Sequence, residues 1–288
     1  MKVFVYGTLR NNESNSHYLA GARIIATQCW TEGELWDTGL GYPAMVNVKK
    51  GRVYGEIYQV TEEQLKSLDE LEEFNGEGNK NNYYERILKT VCIDRGEVRA
   101  YVYILPQEKL ELAFKVIDSG DWKWHRLQSR QDFLYFSYGS CMDNERFKEH
   151  GVACLFENIL GRGRLEGFSL RYTRQTVDGG KADIVEIGGI VEGKVYKIRY
   201  DALKYLLVRE GVNKCAYRPA LIEVEVDGQQ SLDVLTFIVV EKRTETLPSA
   251  KYFQEILRGA QGTVSKEYIK ELKDHYQKLK TNSVTITS

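Results

Sequence analysis

The chain has 288 residues, 42% of them hydrophobic, and its 40 basic against 41 acidic residues leave a formal net charge of −1. That length suffices for two ordinary domains, each with a buried core of its own. A charge so near zero offers no broad basic face for nucleic acid, so no nucleic-acid partner is expected and small molecules are favoured.

The first predicted element is a buried strand at Val3, where "VFVYGTLR" runs from apolar residues into Tyr-Gly and a small hydroxyl residue. An apolar run broken by Gly reads as a strand entering a tight turn, whose amide N–H groups lack ladder partners. "VYGEIYQV" at Val53 is a further strand. Thr61 and Gln64 then form a capping box, opening a helix with apolar positions at Leu65 and Leu68. Glu72 falls four residues after Leu68 and seven after Leu65, so it shares the inward face, whereas Glu70 and Glu73 point away. A solvated glutamate fraying at a helix end is the plainer reading of "LDELEEF" taken alone. An ionised carboxylate beside apolar surface is costly unless paired, and the usual outcome is a raised pKa, as a general acid/base needs. "FNGEGNKNNYYER" from Phe74 is a Gly/Asn-rich insertion that reads either as a lid or as a solvated loop. The β-rich runs "YYERILKTV" and "RAYVYIL" follow.

After the polar stretch "SGDWKWHRLQSRQDF" the pattern starts again, with "YFSYGSCM" at Tyr135 answering the opening strand and turn. "VEGKVYKI" at Val191 answers "VYGEIYQV", and "ALKYLLVREGV" answers "QLKSLDELEEF", with the same spacing from Val53 to Val191 as from Glu72 to Glu210. Glu210 follows Leu203, Leu206 and Leu207 on one helix face, so a second carboxylate is aimed inward. "AYRPALIEV" and "VLTFIVV" complete the parallel. The chain therefore reads as a duplicated α+β domain: residues 1–122, a linker at 123–131, and residues 132–288 with a C-terminal helix. Each copy is built on a curled, mostly antiparallel sheet with a few helices.

Other signals exclude more than they assign. Five cysteines, scattered and never in C-x-x-C spacing, predict reduced thiols, and four isolated histidines give no local metal signature. No metal site is expected. No run approaches the roughly 18 apolar residues of a membrane span, and the opening apolar stretch is too short for a secretion signal, so a cytoplasmic protein without membrane association is expected. "LGRGRLEG" at Leu160 lacks the Gly-Lys-Ser/Thr ending of a phosphate loop.

Both ordered sets of motifs resemble the gamma-glutamylcyclotransferases, which carry a Tyr-Gly-Ser/Thr loop and a later LDxxEG helix end. The first copy, with "YGTLR", "GYPAMV", "VYGEIY", "LDELEEF" and "YYERILKTV", is similar to the branch of gamma-glutamylamine cyclotransferase and the butirosin-pathway enzyme. The second, with "YFSYGS", "GGKADI", "REGV" and the closing "LPSAKYFQEILRGAQGTVSKEYIKELKDH", is similar to the branch acting on gamma-glutamyl amino acids. The resemblance implies two tandem barrel domains that convert small gamma-glutamyl compounds to 5-oxoproline without a cofactor. It makes Glu72 and Glu210 the catalytic acid/bases. Tyr6, Gly7, Thr8 and Leu9 become the substrate loop of the first copy, and Tyr135, Phe136, Ser137, Tyr138, Gly139 and Ser140 that of the second, with Tyr252 a further substrate contact. Two positions depart from the pattern: Leu207 replaces an Asp, and Cys141 replaces an Asn. Those departures keep open a second reading, in which one or both copies bind a gamma-glutamyl or 5-oxoproline ligand as a sensor or scaffold without turnover.

Overall fold

The computed structural model describes residues 1–112 and 114–285 and divides into two compact units, Met1–Ser129 and Arg130–Ser288. In the first unit, β1 (Lys2–Val5), β2 (Arg23–Glu32), β5 (Arg52–Gln59), β6 (Glu85–Ile93) and β7 (Gly96–Ile104) close a barrel in the order β1-β5-β2-β6-β7. Most pairs are antiparallel, and the parallel contact of β1 with β7 shuts the ring. β3 (Glu34–Asp37), β4 (Pro43–Val46) and β8 (Lys115–Val116) form a small sheet beside it. α1 (Glu62–Leu71) begins at the expected capping box, with Thr61 and Gln64 each satisfying the other's backbone N–H, and it buries Leu65 and Leu68.

The second unit repeats the barrel with β9 (Asp132–Ser137), β10 (Ile159–Glu166), β13 (Ile190–Arg199), β14 (Tyr217–Val226) and β15 (Gln229–Val239). Its cyclic order β9-β13-β10-β14-β15 matches the first barrel strand for strand, including one parallel contact, here β15 with β9. α3 (Asn144–Glu149) follows the Tyr-Gly loop, α4 (Tyr200–Arg209) follows β13 as α1 follows β5, and β11 (Ser169–Thr176) pairs with β12 (Gly179–Val185) as a separate ribbon. α5 (Ala250–Ala260) and α6 (Lys266–Thr285) complete the unit and add Phe253, Ile256, Tyr268 and Leu272 to its core.

One glycine per barrel marks where the walls come closest. A Cβ on Gly55 would lie 2.2 Å from the Val5 carbonyl oxygen, and one on Gly193 would lie 2.3 Å from that of Ser137, each also pressing on the ring of Phe4 or Phe136. The glycines of "VYGEIY" and "VEGKVY" are thus dictated by the same approach of two strands.

One local expectation needs correction, and one alternative is narrowed. The stretch at 123–131 expected as a linker is largely helix: α2 (Trp122–Leu127) is capped by Asp121, and Trp122, Trp124 and Leu127 are buried. Its charged residues hide an apolar face, and Trp122 belongs to the first unit's core. Of the two readings of the Gly/Asn-rich insertion, the solvated loop is the nearer: residues 77–81 are exposed, while Asn82 is buried and ties the loop's base by bonding the Asn75 N–H (2.6 Å), the Gly76 carbonyl (2.7 Å) and Glu85 (3.1 Å).

Candidate active sites

β1 ends in the turn expected from "VYGTLR". The Arg10 N–H donates to the Gly7 carbonyl, while the N–H groups of Gly7, Thr8 and Leu9 donate to no acceptor among the described residues. All three residues line a cavity of about 510 Å³. Gly7 is required by packing, since a Cβ there would stand 2.7 Å from the Pro43 ring. Tyr6 lines the same cavity with its ring but spends its hydroxyl inside the protein, donating to the Tyr103 carbonyl at 2.9 Å. The loop is held from behind by Arg10, 1% exposed, which pairs with Glu56 on β5 (3.0 Å) and with Asp121 ahead of α2 (2.8 Å). Glu56 also accepts from the Asn11 N–H and the Tyr58 hydroxyl, both at 2.8 Å.

Glu72 caps the C-terminus of α1 and reaches the cavity as its helical phase predicts. The chain leaves the helix through Glu73, whose left-handed φ of 50° ends α1; contrary to the expectation that it points away, Glu73 also lines the cavity beside Glu72. Among the described residues the Glu72 carboxylate makes no hydrogen bond and no ion pair, so burial alone acts on it and pushes its pKa up to about 7. Asp69, one turn earlier, fixes the helix end by accepting from the Tyr103 hydroxyl (2.6 Å) and the Arg86 guanidinium (2.5 and 2.7 Å). Tyr42, Tyr83 and Tyr84 complete much of the wall. In the sequence these tyrosines stand inside the motifs "GYPAMV" and "YYERILKTV", where no role of their own is assigned to them.

The second unit repeats this geometry with different fastenings. Tyr138 donates to the Phe237 carbonyl (2.5 Å) as Tyr6 does to Tyr103, and the N–H groups of Gly139, Ser140 and Cys141 again donate to no acceptor among the described residues. Tyr135, Ser137, Tyr138, Gly139, Ser140 and Glu210 meet around an inner chamber of about 40 Å³. Tyr252, in the first turn of α5, closes it and accepts from the Ala182 N–H at 3.2 Å. Phe136 is the exception among the expected contacts. Strand alternation turns its side chain away from that of Tyr135 and Ser137, and it is fully buried in the barrel core against Gly163 and Gly193.

Phe237 stands where the first unit has Tyr103, and Pro219, its strand partner, where the first unit has Arg86. Leu207 takes the place of Asp69. All three members of the first unit's polar fastening are therefore replaced together by side chains that carry no polar group, so none is left buried and unsatisfied. The lost support is made up locally. The Cys141 thiol donates to Glu210 at 3.3 Å, and the Arg209 guanidinium donates to the Cys141 sulfur at 3.1 Å. Burial raises the Glu210 pKa, opposed by the Arg209 charge and the Cys141 hydrogen bond. Burial pushes the Cys141 thiol up to about 12, so it stays protonated as a donor and is not a thiolate nucleophile. In place of Arg10 and Glu56, Lys194 on β13 secures the loop by donating to the Met142 carbonyl at 2.7 Å.

Among the described residues no group of three His, Cys, Asp or Glu side chains is placed to hold a metal ion, and no helix is long and apolar enough to cross a membrane.

Comparison with known proteins gives this geometry a family. The model of "Gamma-glutamyl cyclotransferase, AIG2-like" matches residues 3–124, and that of the "AIG2-like family" matches residues 190–272. YkqA of Bacillus subtilis (strain 168) is 40% identical over 280 residues, covering 96% of this chain and 98% of its own. This chain belongs to the gamma-glutamylcyclotransferase family. The crystal structure of YkqA superposes with a TM-score of 0.87 at 39% identity, over 96% of this chain and 98% of that one, so the tandem pair of gamma-glutamylcyclotransferase barrels is shared end to end. The gamma-L-glutamyl-butirosin B gamma-glutamyl cyclotransferase of Niallia circulans is 39% identical over 127 residues, 44% of this chain and 78% of its own.

The unpaired setting of Glu72 makes a prediction independent of turnover. A carboxyl whose pKa is raised to about 7 by folding, from an ordinary 4.5, holds its proton better in the native than in the unfolded chain. Its contribution to stability is full below about pH 4.5 and is lost as pH rises through 7. Glu72→Gln is therefore expected to stabilise the first unit at pH 8, by up to about 3 kcal/mol, and to change little at pH 4. Urea unfolding of both proteins at the two pH values checks this; an equal effect at both would show that the carboxyl is not buried as described.

Proposed function

We propose that each unit is a gamma-glutamylcyclotransferase that closes a gamma-glutamyl compound to 5-oxoproline and releases the amine, with Glu72 and Glu210 as general acid/bases. The observation that carries this reading is the same juxtaposition in both copies: three unsatisfied loop N–H groups and one inward carboxylate of raised pKa around a single cavity.

The substrate carries its own nucleophile. Its α-amine, with a reference pKa of about 8, arrives mostly as ammonium, and the glutamate takes a proton from it. The freed amine attacks the γ-carbonyl carbon, closing a five-membered ring, and the developing oxyanion is met by loop N–H groups that give up no internal bond to receive it. The glutamic acid then protonates the departing nitrogen as its bond to carbon breaks. Two protons leave the α-nitrogen in all, and two reach the released amine when it departs as ammonium, so the carboxylate ends as it began. A pKa near 7 suits Glu72 to both halves of that exchange.

The test is a panel of gamma-glutamyl amines and amino acids, incubated with the purified chain and assayed for 5-oxoproline by mass spectrometry. Release of 5-oxoproline and free amine in equal amounts is expected. Saturable binding of the same compounds with no 5-oxoproline would support the sensor reading instead. The rate at the first site should fall with a midpoint near pH 7 as Glu72 is protonated, because the proton acceptor is then lost. A flat profile between pH 5.5 and 8 would remove Glu72 from the role.

A further inference from the structure

The two cavities differ sharply in charge. Among the described residues the first is lined by two carboxylates, Glu72 and Glu73, and by no Lys, Arg or His. The small inner chamber of the second unit shares Ser140, Glu210, Tyr217 and Tyr252 with an outer cavity of about 440 Å³, whose wall adds Arg146, His150, Arg174, Lys181 and Arg209. Among the described residues Glu210 is the sole carboxylate of that wall. The gamma-glutamyl group must reach Glu210 and the Tyr-Gly loop, so the outer cavity is where the rest of the substrate, the leaving amine, would sit.

These cations are held in place by the fold. Arg146 is clamped by Glu255 of α5, and Lys181 lies 2.6 Å from Asp178 and 4.4 Å from the Tyr252 ring. Arg209 is fixed by the Cys141 sulfur and by the Tyr205 hydroxyl at 3.0 Å. Arg174 differs from the other three. It is half-buried over the Tyr217 ring at 5.4 Å, and it has no carboxylate partner among the described residues. A half-buried guanidinium with no ion pair or hydrogen bond to a carboxylate among the described residues, whose charge acts only at longer range on Glu210, set in a wall of three further fixed cations, is a ready anion subsite.

We propose that the second unit selects gamma-glutamyl substrates whose leaving amine carries more than one negative charge, such as an acidic amino acid or a peptide of acidic residues, with Arg174 as the residue that reads the extra charge. This rests on the cyclotransferase reading of the second unit. One carboxylate on the leaving amine is answered by the cations near the inner chamber, and a second, a few bonds further out, reaches Arg174. The first cavity disfavours the same ligands, because Glu72 and Glu73 repel them.

The experiment uses the full-length Glu72→Gln chain, so that only the second site turns over, and compares gamma-glutamyl-aspartate with its near-isosteric neutral partner gamma-glutamyl-asparagine. The aspartyl compound is expected to be preferred at least about tenfold in kcat/KM at low ionic strength, the preference shrinking in high salt. Arg174→Gln should lower kcat/KM for the aspartyl compound by a larger factor than for the asparaginyl one, mainly through KM, and Arg174→Lys should restore part of the difference. Equal use of the two compounds, or a preference that survives Arg174→Gln, overturns the proposal. If neither compound is turned over, their affinities for the Glu72→Gln/Glu210→Gln chain are measured by calorimetry. An aspartyl preference abolished by Arg174→Gln then upholds the subsite while the catalytic reading of the second unit falls. Indifference to charge overturns the subsite.

Discussion

Glu72→Gln is expected to lower turnover of one set of gamma-glutamyl substrates by about 100-fold or more while sparing another set, and Glu210→Gln is expected to show the complementary loss. The substitution keeps the shape of the side chain and removes the proton acceptor. The two effects should be separable because each unit carries its own loop, cavity and inward carboxylate. Glu72→Gln is expected to be the more damaging, since the carboxylate of the first site has no competing donor, whereas Glu210 is already engaged by Cys141. Kinetics of both single variants and the double variant on a shared panel decide the matter. If either single change abolished activity on every substrate, the two sites would not be independent; if neither did, the chemistry would lie elsewhere in the chain.

The second large effect concerns stability. Arg10→Met should destabilise the first unit by about 3–5 kcal/mol, the usual consequence of removing one partner from a buried ionic network. Glu56 and Asp121, 3% and 2% exposed, would each lose their contact with the guanidinium, and Lys123, 3.9 Å from Glu56, offers a weaker substitute. The same change would unfasten the Tyr-Gly-Thr-Leu loop from β5 and α2, so first-site activity should fall before the unit unfolds. Methionine is what the second copy carries at this point, but there Lys194, not a carboxylate, faces the loop. Guanidinium denaturation checks the prediction: the transition of the first unit should move and that of the second stay. A loss below about 1 kcal/mol would mean that the network orients the loop without supporting the fold.

Much of the site was legible in the sequence because it follows from local periodicity. Helical phase alone put Glu72 and Glu210 on the faces of Leu68 and Leu206, and a glycine after an apolar run announced a turn with unpaired amides. The duplication was legible because β5 with α1 and β13 with α4 kept their spacing. What escaped notice depends on contacts across the barrel. Asp69 meets Arg86 and Tyr103 only once β6 and β7 are in register behind α1, so the joint replacement by Leu207, Pro219 and Phe237 looked in sequence like one odd residue. Arg174 lies on the β11–β12 ribbon, far along the chain from Arg146 and Arg209. Polar composition hid the buried tryptophans of α2 in the stretch expected as a linker, and a run of Asn and Gly gave no sign that Asn82 alone among them is buried.

The measurement closest to the central claim is the fate of solvent oxygen. A gamma-glutamyl substrate turned over in oxygen-18 water should yield 5-oxoproline without label, because the attacking atom is the substrate's own α-nitrogen and the carbonyl oxygen is retained. Glutamate carrying oxygen-18 in its γ-carboxylate would show that water is the nucleophile, and would contradict intramolecular cyclisation at Glu72 and Glu210.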